Sequence, residues 1–147
     1  VRVKFYGPIY DEAYFQECEK AAAGLPNNVE VKFLGSIPPD KLSLAFAEAH
    51  LFLLPTLGEN YGHAIVESML AGVPVLISDK TPWRNLEADN LGMDLPLADS
   101  SSFTKYICKL AAMDQTDYDN QYRTVAKTIE KRIHLAENIV AYKMLFG

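Results

Sequence analysis

The segment Leu53-Leu-Pro-Thr-Leu-Gly-Glu-Asn-Tyr-Gly-His-Ala-Ile-Val-Glu67 gathers the residue types of this chain that could do chemistry. Gly62 stands where a helix should open. The backbone N–H groups of roughly residues 62 to 65 would then lack intrahelical acceptors and lie at the positive end of the helix dipole. Such a terminus binds a phosphate group through its backbone, with no basic side chain required. Glu67 follows five residues later, about 7 to 8 Å along a helix axis. That is the step from a diphosphate to the ribose of the same nucleotide, and a carboxylate is an effective bidentate acceptor for vicinal hydroxyls. Glu59, on the other side of the helix start, is placed to hold the group beyond the diphosphate. The order along the loop is then sugar, diphosphate, ribose. Taken singly, each glutamate also fits a solvated role, Glu59 in a loop and Glu67 on the water-facing side of an amphipathic helix.

The surrounding pattern supplies the elements that must position this loop. Val1, Val3 and Phe5 alternate with Arg2, Lys4 and Tyr6 before Gly7-Pro8, which predicts a strand ended by a turn. A helix is expected from Asp11 to about Ala23, a second alternating strand through Val29, Val31 and Phe33, and a helix after Pro38-Pro39 with Leu42, Ala45, Phe46 and Ala49 on one face. Leu51 to Leu54 is apolar without alternation and predicts a central parallel strand buried on both faces. After the loop come a helix from Gly62 to Ala71, a strand at Val75 to Ile77, a short helix around Trp83 to Ala88 and a weak strand from Met93 to Leu97. Ser100 to Met113, Tyr118 to Ile133 and His134 to Phe146 read as helices, with Asp114 to Asp119 as an acidic helix start. Strands alternating with helices predict an α/β fold, a Rossmann-like doubly wound parallel sheet. Ligands bind such sheets at the carboxyl ends of the strands, where this loop lies.

Composition narrows the function classes. The 147 residues are 49% hydrophobic and 22% charged, the profile of a globular domain rather than a disordered chain. Fourteen Lys and Arg against nineteen Asp and Glu give a net charge of −5, so no broad field attracts a polyanion and a nucleic-acid partner is not expected. No apolar run approaches the ~20 residues of a membrane span. The opening residues read as a strand and not as a signal peptide. Cys18 and Cys108 sit among helix-forming residues without partners at metal spacing and read as buried or half-buried thiols in a reducing compartment. His50 and His134 read as surface or packing residues. Lys80 and Arg84 are the cations nearest the loop by position, with a diphosphate role and a solvated role both open. Trp83 fits a packing anchor or a sugar-stacking platform.

Three stretches together resemble a known family. Glu59-x7-Glu67 followed by Ala71-Gly-Val-Pro-Val75 is similar to the C-terminal, nucleotide-sugar domain of glycosyltransferase family 4, the group 1 glycosyltransferases of GT-B fold. Phe33-Leu-Gly-Ser-Ile37 through Leu42 resembles that domain's base-binding turn, and Ser78-Asp-Lys-Thr-Pro-Trp-Arg-Asn-Leu-Glu87 is similar to versions found in enzymes building bacterial surface polysaccharides. The resemblance covers roughly residues 1 to 100 and implies one half of a GT-B architecture.

By that resemblance, Glu67 would bind the ribose hydroxyls and Glu59 would contact donor-sugar hydroxyls as the catalytic carboxylate. Asn60, Tyr61, Gly62, His63 and Ala64 would line the sugar and diphosphate, the last three through backbone N–H groups, with the His63 imidazole as the other reading of that residue. Ile37 would meet the base through its backbone, with Leu42 packing nearby. The family transfers a hexose from a nucleotide-diphosphate donor with retention, with no bound metal and no cofactor, to a glycan or lipid-linked acceptor. A cytoplasmic location follows, at the inner membrane face for the full-length enzyme. The family also places a strand, a helix and a cationic diphosphate clamp ahead of the segment matching Val1 to Gly7, and an acceptor domain before that. The chain is thus expected to be a partial C-terminal donor-binding domain, with sheet edges open to self-association. A nucleotide-sugar epimerase of GT-B fold and a stand-alone nucleotide-binding module are the competing readings.

Overall fold

The computed structural model describes residues 1–134. It forms an α/β chain whose strand pairs are all parallel, in two compact units divided after Leu42.

In the first unit β1 (Arg2–Phe5) pairs with β2 (Glu30–Phe33), Arg2 opposite Glu30 and Phe5 opposite Phe33. The two-residue period of a strand sorts the side chains by face. On one face Phe5 stacks on Phe33 at 5.1 Å, and Phe15 of α1 (Glu12–Ala23) meets the Phe33 ring edge-on at 5.0 Å. On the other, Glu30 pairs with Arg2 at 2.7 Å and Lys32 at 2.9 Å. The Lys32 bond, then the Arg2 bond, holds the Glu30 carboxyl below its ordinary pKa. Asp11 caps α1 by accepting the Tyr14 N–H at 3.0 Å. None of residues 1–42 is buried. The division between the units falls inside α2 (Pro39–Ala47), on which Phe46 is buried and Leu42 and Ala45 are half-buried.

The second unit holds β3 (Phe52–Leu54), β4 (Val75–Ser78) and β5 (Gly92–Leu95) in the order β3-β4-β5. Here the apolar run at Leu51 to Leu54 is not the central strand. β3 is at the edge of its sheet with Leu53 37% exposed, whereas every residue of β4 is buried. An apolar run reports hydrophobic neighbours but does not say on which side a further strand lies. Ile65 and Met69, one turn apart on α3 (His63–Leu70), pack with Val75, Ile77, Leu86, Leu91, Tyr122, Val125 and Ile129 into one core. Gly92 lies opposite Val75 at a φ of 131°, and a Cβ there would sit 1.8 Å from the Val75 carbonyl oxygen. Only glycine permits that close approach of the two strands.

Three further expectations need correction. The short helix at Trp83 to Ala88 is a single 3-10 turn at Glu87–Asp89, because Asn85 takes a φ of 56° and the Leu86 N–H is given to Asp94 Oδ1 at 3.0 Å. The helix at Tyr118 to Ile133 is two helices, α5 (Gln115–Tyr122) and α6 (residues 125–134), parted at Arg123-Thr124, where the Thr124 carbonyl accepts the Thr128 N–H at 2.8 Å as the second helix begins. Cys18 is half-buried as expected, but Cys108 is exposed. It stands off the stripe through which α4 (Ser100–Ala111) buries Tyr106 and half-buries Phe103, Ile107 and Leu110. The helix expected from His134 to Phe146 lies, beyond its first residue, outside the described residues. α4 and α5 begin at aspartate caps, Asp99 and Asp114, and hydrogen bonds from Ser102 and Ser101 hold the Asp99 carboxyl below its ordinary pKa.

Tyr118 donates to the His50 carbonyl at 2.8 Å, its ring against the His50 imidazole, while the Tyr106 and Tyr122 hydroxyls bond each other at 2.9 Å. Burial pushes the Tyr118 hydroxyl up to about 12, and burial followed by the Tyr122 bond raises Tyr106 further. Unfolded tyrosine ionises near 10, so these groups stabilise the fold below that pH and the contribution is lost as pH climbs through the folded values. Urea midpoints should therefore fall as pH rises from 10 toward 12. Gly92→Ala should cost at least about 2 kcal/mol in urea unfolding. Gly24→Ala, whose Cβ would meet only ordinary contacts at 3.5 Å or more, should stay within about 0.5 kcal/mol of the parent.

Candidate functional site

The loop from Thr56 to Gly62 joins the carboxyl end of β3 to the N-terminus of α3. Gly62 is the N-cap of α3 in a left-handed conformation, φ 77° and ψ 61°, without a side-chain cap. A Cβ at this position would lie 2.7 Å from Cδ1 of the buried Ile65. The Gly62 carbonyl accepts the N–H groups of Ile65 at 3.0 Å and Val66 at 3.2 Å. Ile65 is therefore removed from the expected set of open donors, since the first turn closes tightly on Gly62. The N–H groups of Gly62, His63 and Ala64 have no acceptor among the described residues. α1, α4 and α5 instead satisfy such donors with Asp11, Asp99 and Asp114.

The predicted residues around this terminus share one loop and helix. Glu59, Asn60 and Tyr61 are exposed in the loop, and Glu67 is exposed on α3, whose opposite face buries Ile65, Val66, Ser68 and Met69. His63 is exposed and its imidazole lies against the Tyr61 ring at 4.9 Å. Ala64 is half-buried. Ile37 and Leu42 belong to the first unit, where both are half-buried, Ile37 between Gly35 at a φ of 66° and the start of α2.

Residues from the carboxyl end of β4 onward hold the loop in place. Ser78 is fully buried; its hydroxyl donates to the Thr56 carbonyl at 2.5 Å and accepts the Lys80 N–H at 3.3 Å. Glu59 N–H donates to the Lys80 carbonyl at 3.1 Å, and the Trp83 indole N–H donates to the Tyr61 carbonyl at 2.6 Å. Thr56 closes the near end with its own hydroxyl, which donates to the Gly58 carbonyl at 2.9 Å and accepts the Gly58 N–H at 3.2 Å. The structural roles of Ser78 and Thr56 were not anticipated. The signal for Ser78 was its place, a polar residue ending a wholly apolar strand.

Both nearby cations are paired with acids. Lys80 lies 3.5 Å from Asp79, and Arg84 lies 2.9 Å from Asp94 while donating to the Asp79 carbonyl. Trp83 is half-buried against the core, with Arg132 5.9 Å over its ring and the Tyr61 ring edge-on at 5.8 Å, the setting of a packing anchor. Among the described residues no group of three or more His, Cys, Asp or Glu is placed to hold a metal ion, and no helix is long and apolar enough to cross a membrane.

Comparison with known proteins bears on this arrangement. The family model described as glycosyl transferases group 1 matches residues 1–132. Over 75 residues the chain is 33% identical to a sulfoquinovosyl transferase of Arabidopsis thaliana, covering 51% of this chain and 13% of that protein. Over 101 residues it is 29% identical to a phosphatidyl-myo-inositol mannosyltransferase of Mycobacterium leprae, covering 67% of this chain and 26% of that one. The fold is similar to that of a glycosyltransferase involved in avilamycin A biosynthesis, with a TM-score of 0.56 at 14% identity over 95% of this chain and 43% of the solved one. The chain thus spans about a quarter or less of the length of these curated relatives.

Removing the Ser78 hydroxyl leaves the Thr56 carbonyl and Lys80 N–H without their buried partner. Ser78→Ala should cost about 1 to 3 kcal/mol in thermal or urea unfolding and speed amide exchange across residues 56–60, while exchange on β5 keeps its rank order.

Proposed function

The chain belongs to the group 1 glycosyl transferases, and on that premise we propose that it is the donor-binding portion of a retaining hexosyltransferase. The enzyme transfers a sugar from a nucleotide-diphosphate donor to a glycan or lipid-linked acceptor in the synthesis of bacterial surface polysaccharide. The observation carrying this reading is the left-handed Gly62, which opens α3 with N–H groups at Gly62, His63 and Ala64 that have no acceptor among the described residues, between two exposed carboxylates, Glu59 and Glu67. The names of the relatives, a sulfoquinovosyl transferase and a mannosyltransferase, support sugar transfer.

In this proposal Glu67 holds the ribose hydroxyls and the three N–H groups hold the diphosphate. Asn60 and Tyr61 line the sugar, and Glu59 contacts its hydroxyls and supports positive charge developing at the anomeric carbon. As the bond to the sugar breaks, negative charge grows on the departing diphosphate. Preoriented N–H groups and the positive end of the α3 dipole stabilise that charge in place of a bound metal. Ile37 and Leu42 are assigned to the base, Ile37 through its backbone. The acceptor site and any further cationic clamp are assigned to parts of the enzyme outside this chain, and the reaction to the cytoplasm. Self-association through sheet edges is part of the proposal, β3 being an edge strand of its own sheet.

Calorimetric titration with UDP and GDP tests the assignment. Glu67→Ala should weaken binding by about ten- to a hundred-fold, the loss of a charged bidentate acceptor. Glu59→Ala in the full-length enzyme should keep nucleotide affinity within about three-fold and lose turnover. Unchanged nucleotide affinity in Glu67→Ala contradicts the ribose role.

A further inference from the structure

We propose that Trp83 is a positioning residue for diphosphate recognition, because its indole N–H fixes the plane of the peptide group that carries the first donor of α3. The inference rests on the reading of Gly62, His63 and Ala64 as the diphosphate site and goes beyond it by naming the side chain that aims them.

A trans peptide group is planar, with its carbonyl and N–H pointing in opposite directions. The Tyr61 carbonyl and the Gly62 N–H belong to one such plane. Trp83 Nε1 donates to the Tyr61 oxygen at 2.6 Å, so anchoring that oxygen sets the direction of the Gly62 N–H. The constraint matters at this peptide because Gly62 has no Cβ to restrict its torsions and no side-chain cap holds the turn. Two further ties between the segments, Ser78 to Thr56 and Glu59 to Lys80, act earlier in the loop, on peptide groups other than this one.

The indole is itself held by two neighbours. Arg132 of α6 lies 5.9 Å over the ring and is fixed by bonds from its guanidinium to the Arg84 carbonyl at 2.6 Å and to Asp89 at 3.3 Å. The Tyr61 ring meets the indole edge-on at 5.8 Å and lies 4.9 Å from the His63 ring. Trp83 N–H is committed to Thr81 Oγ1 at 3.2 Å, which restrains the backbone under the indole. The series Arg132, Trp83, Tyr61 therefore ties the helix start to α6 through one side-chain donor.

Two readouts test the inference on the same chain. Trp83→Phe keeps an aromatic ring under Arg132 and beside Tyr61 but removes the donor. It should fold, by circular dichroism and thermal melting, and bind UDP and GDP about five-fold more weakly by calorimetry, the loss expected for one hydrogen bond. Trp83 is also the single tryptophan, so its fluorescence in the unaltered chain should change on saturation with UDP. Binding by the unaltered chain with equal affinity in folded Trp83→Phe overturns the inference alone. Should Trp83→Phe fail to fold, the fluorescence decides: a response to UDP supports the link, and a silent tryptophan in a UDP-bound chain overturns it. Absence of UDP and GDP binding by the unaltered chain overturns the reading of the site itself, and the inference with it.

Discussion

A single left-handed residue decides how α3 begins, and the order of causes runs from the core outward. Ile65 is fully buried among β4, the segment from Leu86 to Leu91 and α6. Its side chain leaves no room for a Cβ at Gly62, and the conformation there is one that residues with a Cβ adopt at a cost. Glycine follows, and with glycine goes the side-chain oxygen that would otherwise accept the first N–H groups of the helix. A helix whose packing is this tight thus presents uncapped donors because of that packing. The same geometry places Glu67 on the outward face, opposite the side chains that the core requires.

Charge enters mainly through dipoles. The chain carries a net charge of −5, and the two cations beside the loop are engaged with Asp79 and Asp94. Arg84 also braces the segment beneath Trp83 by donating to the Asp79 carbonyl, and Asp94 accepts the Leu86 N–H. These pairs hold the segment that in turn holds the loop. An anion at α3 would meet fixed N–H groups and a helix terminus, whose contribution is short-ranged and loses strength beyond the first turn.

Local order was the legible part of the sequence. Val3, Phe5, Val31 and Phe33 announced β1 and β2 by alternation, and Gly62 marked where α3 opens, because each signal is local in the chain. The apolar run at Leu51 to Leu54 gave the strand but not its place at the edge of its sheet, since burial of a run says nothing about order among strands. The turn at Asn85 was lost for a different reason: it depends on one backbone conformation that a hydrophobic period does not record. The break at Arg123-Thr124 is hidden in another way, since Arg123 itself keeps right-handed helical angles. At the site, Glu59, Gly62 and Glu67 were legible through spacing. The Trp83 bond to Tyr61 was not, because its partners stand 22 residues apart and one is a backbone carbonyl common to every residue type.

The central claim is that the N–H groups of Gly62, His63 and Ala64 are the diphosphate donors. Amide chemical-shift mapping by NMR during titration with UDP, with uridine as the control, tests it most directly. The account predicts that the largest shifts specific to UDP fall on Gly62, His63 and Ala64, with the amide of Ile65, already bonded to the Gly62 carbonyl, moving less. UDP-specific shifts confined to other segments, with these three amides unmoved, would contradict it.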